Sequence, residues 1–232
     1  MIRAVFWDND GVLVDTEKLY FQATREHLFR AGVTLTKTLF NKISLIEGRN
    51  VFDLAEAKGS SREEIAFLQE DRNRRYTELL RGDVRILDGV KDALGELQGK
   101  VAMAIVTSSR KVHFDEMHAR TGLIPYFDFV LVREDYTLSK PDPEPYLTAM
   151  KKSGFGPEEC LVVEDSPRGL ASAIAAGIRC LVIPNALTRG NPFAGAWRIL
   201  ESCSQVPAEI HRIEGDGPGP SAGVPSRLRT TT

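Results

Sequence analysis

Two aspartates separated by one residue follow the first apolar run of the chain. Residues 2–7 have the composition of a buried β-strand, and Asp8-Asn9-Asp10 comes where that strand would reach solvent. Because side chains alternate along a strand, we expect Asp8 and Asp10 to point to the same side of the sheet. Two carboxylates this close either force one of them to keep its proton or share a hard cation such as Mg²⁺. The pair therefore predicts a metal site, an acid and nucleophile pair, or both.

Further polar groups follow three later runs of the sequence. They are Thr107 with Ser108, then Lys140, then Glu164 with Asp165. In open parallel sheets, ligands bind at the carboxyl ends of the strands, so we expect these side chains at one edge. Carboxylates, hydroxyls and a lysine suit phosphoryl transfer, because the charge of the phosphate oxygens must be neutralised while a nucleophile attacks in line. An aspartate carboxylate is a known type of covalent phosphate acceptor.

The elements that would position these groups are five short strand-like runs, which alternate with helical patterns. The runs cover residues 3–8, 101–107, 127–133, 160–164 and 179–183. Such alternation is typical of βαβ units, in which a helix connects two parallel strands. We therefore predict an α/β fold with a parallel sheet at its core.

A long segment with a helical pattern interrupts this alternation. From about residue 17 to residue 81 the spacing of apolar residues is helical, and no convincing strand is present. Ser61 and Glu64 form a capping-box pattern before a long charged helix that should reach Leu80. Its charged run at residues 70–75 is expected to be a solvated helix face.

We therefore predict three regions along the chain. A core of residues 1–15 and 84–213 receives a helical cap of residues 16–83. Because this insertion begins beside the aspartate pair, its two connections would act as hinges that close the cap over a ligand. Residues 214–232 contain mostly Gly, Pro, Ser and Thr and are predicted to be a disordered tail.

The charge and cysteine content restrict the class of partner. The 30 basic and 32 acidic residues give a formal net charge of −2, so no overall field favours nucleic acid or a membrane surface. The 3 cysteines lack metal-like spacing and suit buried thiols in a reducing compartment. No stretch approaches the ~18 apolar residues of a membrane span. We expect a cytoplasmic protein with a local site.

Four motifs in this order resemble the haloacid dehalogenase superfamily, in its β-phosphoglucomutase and phosphoglycolate phosphatase-like branch. They are residues 8–17 (DNDGVLVDTE), 106–109 (VTSS), 140–146 (KPDPEPY) and 164–170 (EDSPRGL). The similarity covers about residues 1–213. It implies a Rossmann-like parallel sheet with helices on both faces and a helical cap inserted after the first motif.

The resemblance also implies catalytic and metal-binding roles. Asp8 would be the nucleophile that forms an aspartyl-phosphate. Asp10 would be the general acid for the leaving group and then the base for the attacking water. Mg²⁺ would be bound by the Asp8 carboxylate, the Asp10 backbone carbonyl and Asp165, with Glu164 binding either directly or through water.

Four residues are candidates for contact with the substrate. The resemblance implies that Thr107 hydrogen-bonds the transferred phosphoryl group and that Lys140 bridges this group to Asp8. Ser108 is a candidate because it precedes a helix start, where backbone N–H groups can hold phosphate oxygens. Arg49 is a candidate because it lies in a turn of the cap that should face the site.

Departures from the motifs of related subfamilies favour a phosphatase. Family dehalogenases lack the second aspartate as acid and base, so the presence of Asp10 indicates phosphate chemistry. Family β-phosphoglucomutases carry a histidine where Tyr20 stands here, and the position of Arg49 is shifted from that of their cap arginine. We favour Mg²⁺-dependent hydrolysis of a small phosphorylated metabolite. The alternatives are a sugar-phosphate mutase and a catalytically idle binding or regulatory protein.

Overall fold

A six-stranded parallel sheet forms the centre of the computed structural model, which describes residues 1–82 and 84–215. The strands lie in the order β3-β2-β1-β4-β5-β6. They are β1 (Ala4–Trp7), β2 (Ala102–Val106), β3 (Phe129–Leu131), β4 (Cys160–Glu164), β5 (Arg179–Val182) and β6 (Arg198–Ile199). The order reverses between β1 and β4, and a crevice for ligands forms at the carboxyl ends of such neighbouring strands.

The alternation of side chains along the strands supplies a separate core for each face of the sheet. Val5 and Trp7 of β1 belong to one buried cluster, whereas Ala4 and Phe6 belong to the other. Both faces of β1 are therefore apolar, as expected for a strand covered by helices on both sides.

Five helices cover the two faces. The helices on the face of Trp7 are α5 (Val90–Leu97), α6 (Lys111–His118) and α9 (Val206–Gly215), and those on the face of Phe6 are α7 (Glu144–Ser153) and α8 (Pro167–Ala175). The predicted α/β fold with a Rossmann-like parallel sheet is confirmed. Within the described ranges, none of the helices combines the length and the apolar character that a membrane crossing requires.

Two details at the end of the chain differ from the prediction. The strand β6 was not predicted, because two exposed residues are too short to produce an alternating pattern. Glu214 and Gly215, which we assigned to the tail, belong to α9, and the Glu214 carboxylate accepts a hydrogen bond from the Ile2 amide at 3.0 Å. The rest of the predicted tail, residues 216–232, lies outside the described residues.

Helical structure fills the described part of the insertion between β1 and the remaining strands. Its helices are α1 (Glu17–Arg30), α2 (Lys37–Phe40), α3 (Asp53–Glu56) and α4 (Arg62–Leu80), with a π-helical turn at Asn41–Ile46. Phe21, Leu28, Phe40 and Phe52 are buried together in a separate apolar cluster. We propose that residues 16–83 act as a cap on the core, and we use that name for them below.

A reciprocal amide pair connects the cap to the core. The Asn41 side chain donates to Asn191 Oδ1 at 3.0 Å, and the Asn191 side chain donates back to Asn41 Oδ1 at 2.9 Å. Asn41 begins the π-helical turn of the cap, and Asn191 lies in the core segment that follows β5. The cap is therefore held against the core at a point far along the chain from its two connections.

The start of α4 has the capping box that the sequence predicts. Ser61 Oγ accepts a hydrogen bond from the Glu64 amide at 3.2 Å, and the Glu64 carboxylate accepts one from the Ser61 amide at 2.8 Å. The helix then continues to Leu80, as predicted. Two amides that the helix itself cannot pair are thereby satisfied.

We predict that Ser61→Ala lowers the free energy of unfolding by about 1 kcal/mol, because the Glu64 amide loses its acceptor. Urea denaturation followed by circular dichroism measures this change. Ser60→Ala is the control, since Ser60 precedes the capping position. Equal stability of the two variants would contradict the assigned cap.

Candidate active site

The register of the three central strands brings the predicted site residues to one edge. Trp7 is paired with Ile105 of β2 on one side and with Val163 of β4 on the other. The next residues along each strand, Asp8, Val106 and Glu164, therefore reach the carboxyl edge at the same level. Because the strands are parallel, each chain then continues into a loop on the same side of the sheet.

Lys140 lies at the centre of this edge and is almost completely buried. Its Nζ donates to Asp8 Oδ1 at 2.7 Å, to Glu164 Oε1 at 2.7 Å and to the Val106 carbonyl at 2.8 Å. Burial alone would lower the pKa of Lys140, but the charges of Asp8 and Glu164 outweigh it and raise this pKa above its usual range. Lys140 is therefore a permanent cation against Asp8.

Glu164 is held from several directions besides Lys140. Its carboxylate accepts hydrogen bonds from the Tyr146 hydroxyl at 2.6 Å, the Asp165 amide at 3.2 Å and the Ser166 hydroxyl at 3.3 Å. Gly169 in the first turn of α8 passes so close to this carboxylate that any side chain there would collide with it. The position of Glu164 is therefore fixed from both the strand and the helix.

The edge of the sheet carries more acidic than basic groups. Burial is the main cause that raises the pKa of Asp8 to about 7, and Glu164 and Asp10 add to this effect while Lys140 opposes it. Burial and the nearby charges of Glu17 and Asp8 also raise the pKa of Asp165 well above its usual range. A divalent cation would offset this surplus of negative charge.

The carboxylates of Asp8, Glu164 and Asp165 fit such a cation. Each offers one oxygen, and these oxygens lie within 4.8 Å of one another in a buried position. Mg²⁺ prefers oxygen ligands of this type, of which one or two are carboxylates. Asp8 and Asp165 are the better candidates, because the four groups bonded to Glu164 already occupy both of its oxygens.

Asp10 lies in a loop and has a different environment from Asp8. The strand ends at Trp7, and Gly11 adopts a left-handed conformation beside Asp165, where a side chain would collide. The expectation that strand alternation aligns the two carboxylates is therefore too simple, although both line the same cavity. The Asp10 carboxylate accepts hydrogen bonds from five side chains, those of Asn9, Thr16, Tyr76, Thr107 and Ser109.

The two hydroxyl candidates after β2 differ in their bonding. Thr107 Oγ1 donates to Asp10 at 3.3 Å and accepts a hydrogen bond from the Ser109 amide at 3.0 Å. Ser108 Oγ is buried and has no hydrogen-bond partner within the described ranges. Arg168 Nε is likewise buried without a partner among those residues. Both groups line the cavity, so an anionic ligand could satisfy them.

The structure does not bring Arg49 to the residues above. Its guanidinium is largely exposed and pairs with Glu47 at 3.1 Å and Asp53 at 3.5 Å. Arg72 of α4 lines the cavity instead, buried with its guanidinium carbon 4.5 Å from the ring centre of Tyr20. The expectation that residues 70–75 form a solvated face is wrong for Arg72, because its aromatic contacts lie outside its own helix and leave no local signal.

Glu17 and Asn185 also belong to the site, although the sequence did not single them out. Asn185 Nδ2 donates to Glu17 Oε2 and to Asp165 Oδ2, each at 2.6 Å. Burial, more than the charge of Asp10, raises the pKa of Glu17 to about 8. Asn185 follows β5 at the same edge of the sheet, which is the only signal that could have indicated it.

These side chains surround a cavity of about 210 Å³ between the core and the cap. The core contributes Lys140 and the acidic groups other than Glu17, whereas Glu17, Tyr20, Arg72 and Tyr76 come from the cap. This volume lies below the usual range of roughly 300–1,000 Å³ for ligand pockets, which suits a small ligand.

Comparison with known proteins relates the chain to one family. The family model described as haloacid dehalogenase-like hydrolase matches residues 5–183. The protein CbbY of Rhodobacter capsulatus is 32% identical over 214 residues, which cover 85% of this chain and 92% of that protein. A phosphorylated carbohydrates phosphatase of Thermotoga maritima is 33% identical over 182 residues, covering 76% and 82%.

The fold is shared with a solved structure. A β-phosphoglucomutase from Clostridium difficile superimposes with a TM-score of 0.77 at 21% sequence identity. The similarity covers 93% of this chain and 98% of that one, and it establishes a common fold.

We predict that Mg²⁺ raises the melting temperature of the protein by more at pH 8 than at pH 5. The raised pKa of Asp8, about 7, means that its carboxyl keeps a proton at pH 5 that a cation must displace. In the metal-free protein, the same shift makes Asp8 destabilising as the pH rises from 3.8 to about 7, because the folded state binds a proton that the unfolded state releases.

Thermal unfolding with and without Mg²⁺ tests this prediction without any assay of activity. Asp165→Asn should reduce the stabilisation by Mg²⁺ at pH 8. Glu158→Gln is the control, since the Glu158 side chain is 81% exposed. Equal stabilisation of wild type and Asp165→Asn would refute the assigned metal site.

Proposed function

Because the chain belongs to the haloacid dehalogenase-like hydrolase family and is an enzyme of its phosphatase branch, we propose that it hydrolyses a phosphorylated carbohydrate through a phosphoryl intermediate on Asp8. The observation that carries this proposal is the buried contact of Lys140 with Asp8 at 2.7 Å. A cation there favours the charged, nucleophilic form of this carboxylate against the burial that raises its pKa.

The proposed reaction consists of two displacements at phosphorus. In the first, an oxygen of Asp8 attacks phosphorus, the bond to the sugar oxygen breaks, and Asp10 gives that oxygen a proton. In the second, water attacks the phosphorus of the acyl phosphate, and Asp10 takes up a proton from the water. The bond between Asp8 and phosphorus breaks, which releases inorganic phosphate and restores the Asp8 carboxylate. Asp10 is therefore restored after each turnover, as general acid and base catalysis requires.

Lys140, Ser108 and Thr107 would act on the transferred group in both displacements. Lys140 offsets the charges of Asp8 and of the phosphate oxygens, and the hydroxyl of Ser108, which no residue in the described part of the chain pairs, supplies a hydrogen bond. Thr107 would exchange its bond to Asp10 for one to a phosphate oxygen. Mg²⁺ held by Asp8, Asp165 and the Asp10 carbonyl, with Glu164 beside it, would supply further neutralisation of the phosphate charge.

The cap side of the cavity accounts for a carbohydrate as the remainder of the substrate. Arg72 is buried, with the Tyr20 ring 4.5 Å and the Phe52 ring 5.4 Å from its guanidinium carbon. Its Nη1 donates to Thr24 Oγ1 at 3.2 Å. A buried guanidinium held by neutral neighbours is suited to the oxygens of a polar or anionic ligand.

The 3 cysteines are buried free thiols, which is consistent with our proposal of a reducing cytoplasm.

We predict that Asp8→Asn abolishes the hydrolysis of p-nitrophenyl phosphate, a loss of at least about a thousandfold, because the amide cannot attack phosphorus. Retained turnover would refute Asp8 as the nucleophile, and circular dichroism serves to check that the variant is folded.

Wild-type enzyme supplied with a hexose 1-phosphate should release inorganic phosphate. Accumulation of an isomeric hexose phosphate would support a mutase, and no reaction across a panel of phosphate esters would support an idle binding protein.

We predict that Arg72→Ala raises the KM for a phosphorylated sugar by about tenfold, because the ligand loses a charged hydrogen-bond donor. Arg49→Ala is the matched comparison, since Arg49 is an exposed cap arginine with acidic partners. Steady-state kinetics of the two variants decides between them. A larger effect of Arg49→Ala would move the sugar site to the turn that contains Arg49.

A further inference from the structure

A buried polar chain runs from the end of α6 to Asp10. His118 Nε2 lies 2.7 Å from Asn9 Oδ1, and His118 Nδ1 lies 2.9 Å from Thr121 Oγ1. Asn9 Nδ2 in turn lies 3.2 Å from Asp10 Oδ2. Asn9 is completely buried, and His118 and Thr121 are nearly so.

The chemistry of Asp10 fixes the direction of every hydrogen bond in this chain. Asp10 Oδ2 is an acceptor toward Asn9 whether or not the other oxygen carries the transferred proton, so the Asn9 amide presents its N–H₂ group to Asp10 and its oxygen to His118. His118 Nε2 must then carry the proton, and its Nδ1 accepts the hydroxyl proton of Thr121. Burial lowers the pKa of His118 to about 4, which is consistent with a neutral ring that carries a single proton.

The histidine determines which way the Asn9 amide faces. The second hydrogen of Asn9 Nδ2 reaches Met117 Sδ at 3.1 Å, so both hydrogens and the oxygen of this amide are satisfied. Without the donor at His118 Nε2, the Asn9 oxygen would be left unpaired in a buried position. The amide could then rotate and turn an acceptor toward the Asp10 carboxylate, which would repel it.

We propose that His118 is a positioning residue, which acts through Asn9 to hold the Asp10 carboxyl group in place for proton transfer to the leaving group. This inference rests on the proposed role of Asp10 as general acid. His118 touches neither Asp8 nor Lys140, and its effect passes through one amide group. Asn9, between the two aspartates, therefore links His118 to Asp10 through hydrogen bonds that an apolar residue could not form.

The test uses two substrates that differ mainly in their need for an acid. The leaving group of p-nitrophenyl phosphate is stable as an anion, whereas that of phenyl phosphate requires a proton much more. Because kcat/KM reports the transition state for loss of the leaving group, the ratio of kcat/KM for these two esters measures the contribution of Asp10.

Two replacements of His118 separate hydrogen bonding from packing. The amide nitrogen of glutamine can occupy the place of a histidine Nε2, whereas asparagine is too short to reach it. We expect His118→Asn to lower kcat/KM for phenyl phosphate by about tenfold and that for p-nitrophenyl phosphate by much less. His118→Gln should keep both values close to those of wild type.

A second site keeps the proposal falsifiable if His118→Asn is unstable. Asn9→Leu keeps the branching and the number of side-chain heavy atoms and should reproduce the selective loss on phenyl phosphate. The double variant Asn9→Leu with His118→Asn should be no slower than Asn9→Leu alone, because the two residues act in series. Ile213→Ala in α9, a buried residue away from the cavity, controls for a general loss of stability.

Three results would overturn the proposal. These are equal losses on both esters, a loss in His118→Gln that matches that in His118→Asn, and unchanged kinetics in Asn9→Leu. Failure of the wild-type enzyme to hydrolyse either ester would instead refute the proposed function, and the role of His118 with it.

Discussion

The ammonium group of Lys140, buried between two carboxylates, is the interaction on which the rest of the site depends. Removal of such charges from water costs several kcal/mol for each ion, and only good geometry offsets this cost. Lys140 Nζ has three protons, and the structure supplies three acceptors, namely Asp8, Glu164 and the Val106 carbonyl. These acceptors come from the residue directly after β1 and from β2 and β4, so the relative register of the three strands determines whether Lys140 can be accommodated at all.

The same constraint explains why the two carboxylates bonded to Lys140, those of Glu164 and Asp8, have different environments. Glu164 is bonded on both oxygens and lies against Gly169, so it acts as a fixed counter-charge to Lys140. Asp8 shares the ammonium but is less completely surrounded, and its pKa is raised by burial first and by the charges of Glu164 and Asp10 second. An arrangement that leaves one carboxylate short of partners is suited to receive a cation and a phosphate. The fixed position of Glu164 and the reactivity that we propose for Asp8 thus have a common origin.

The sequence predicts the core of the site well because its residues follow directly from strand ends. Asp8, Glu164 and Asp165 each come within one residue of a strand, so the parallel sheet alone brings them together. Arg72 could not be predicted in this way, since its burial depends on aromatic rings from two other cap segments. Asn185 is indicated only by its place after β5, and the role of His118 is beyond sequence reasoning, because their hydrogen bonds join residues 168 and 109 positions apart. Arg49 illustrates the opposite error, in which an arginine in a suggestive turn pairs with local acids.

The amide pair of Asn41 and Asn191 joins the cap to the core through neutral groups, whereas the site beneath the cap is built from charged ones. Both partners are uncharged, so neither ionic strength nor protonation over the physiological range alters their two hydrogen bonds. Exposed ion pairs also join the cap to the core, between Arg81 and Glu116 and between Arg110 and Glu70, and salt screens these. The amide pair is exempt from that screening. A rise in ionic strength would thus weaken the ion pairs between cap and core but leave the contact of Asn41 with Asn191 in place.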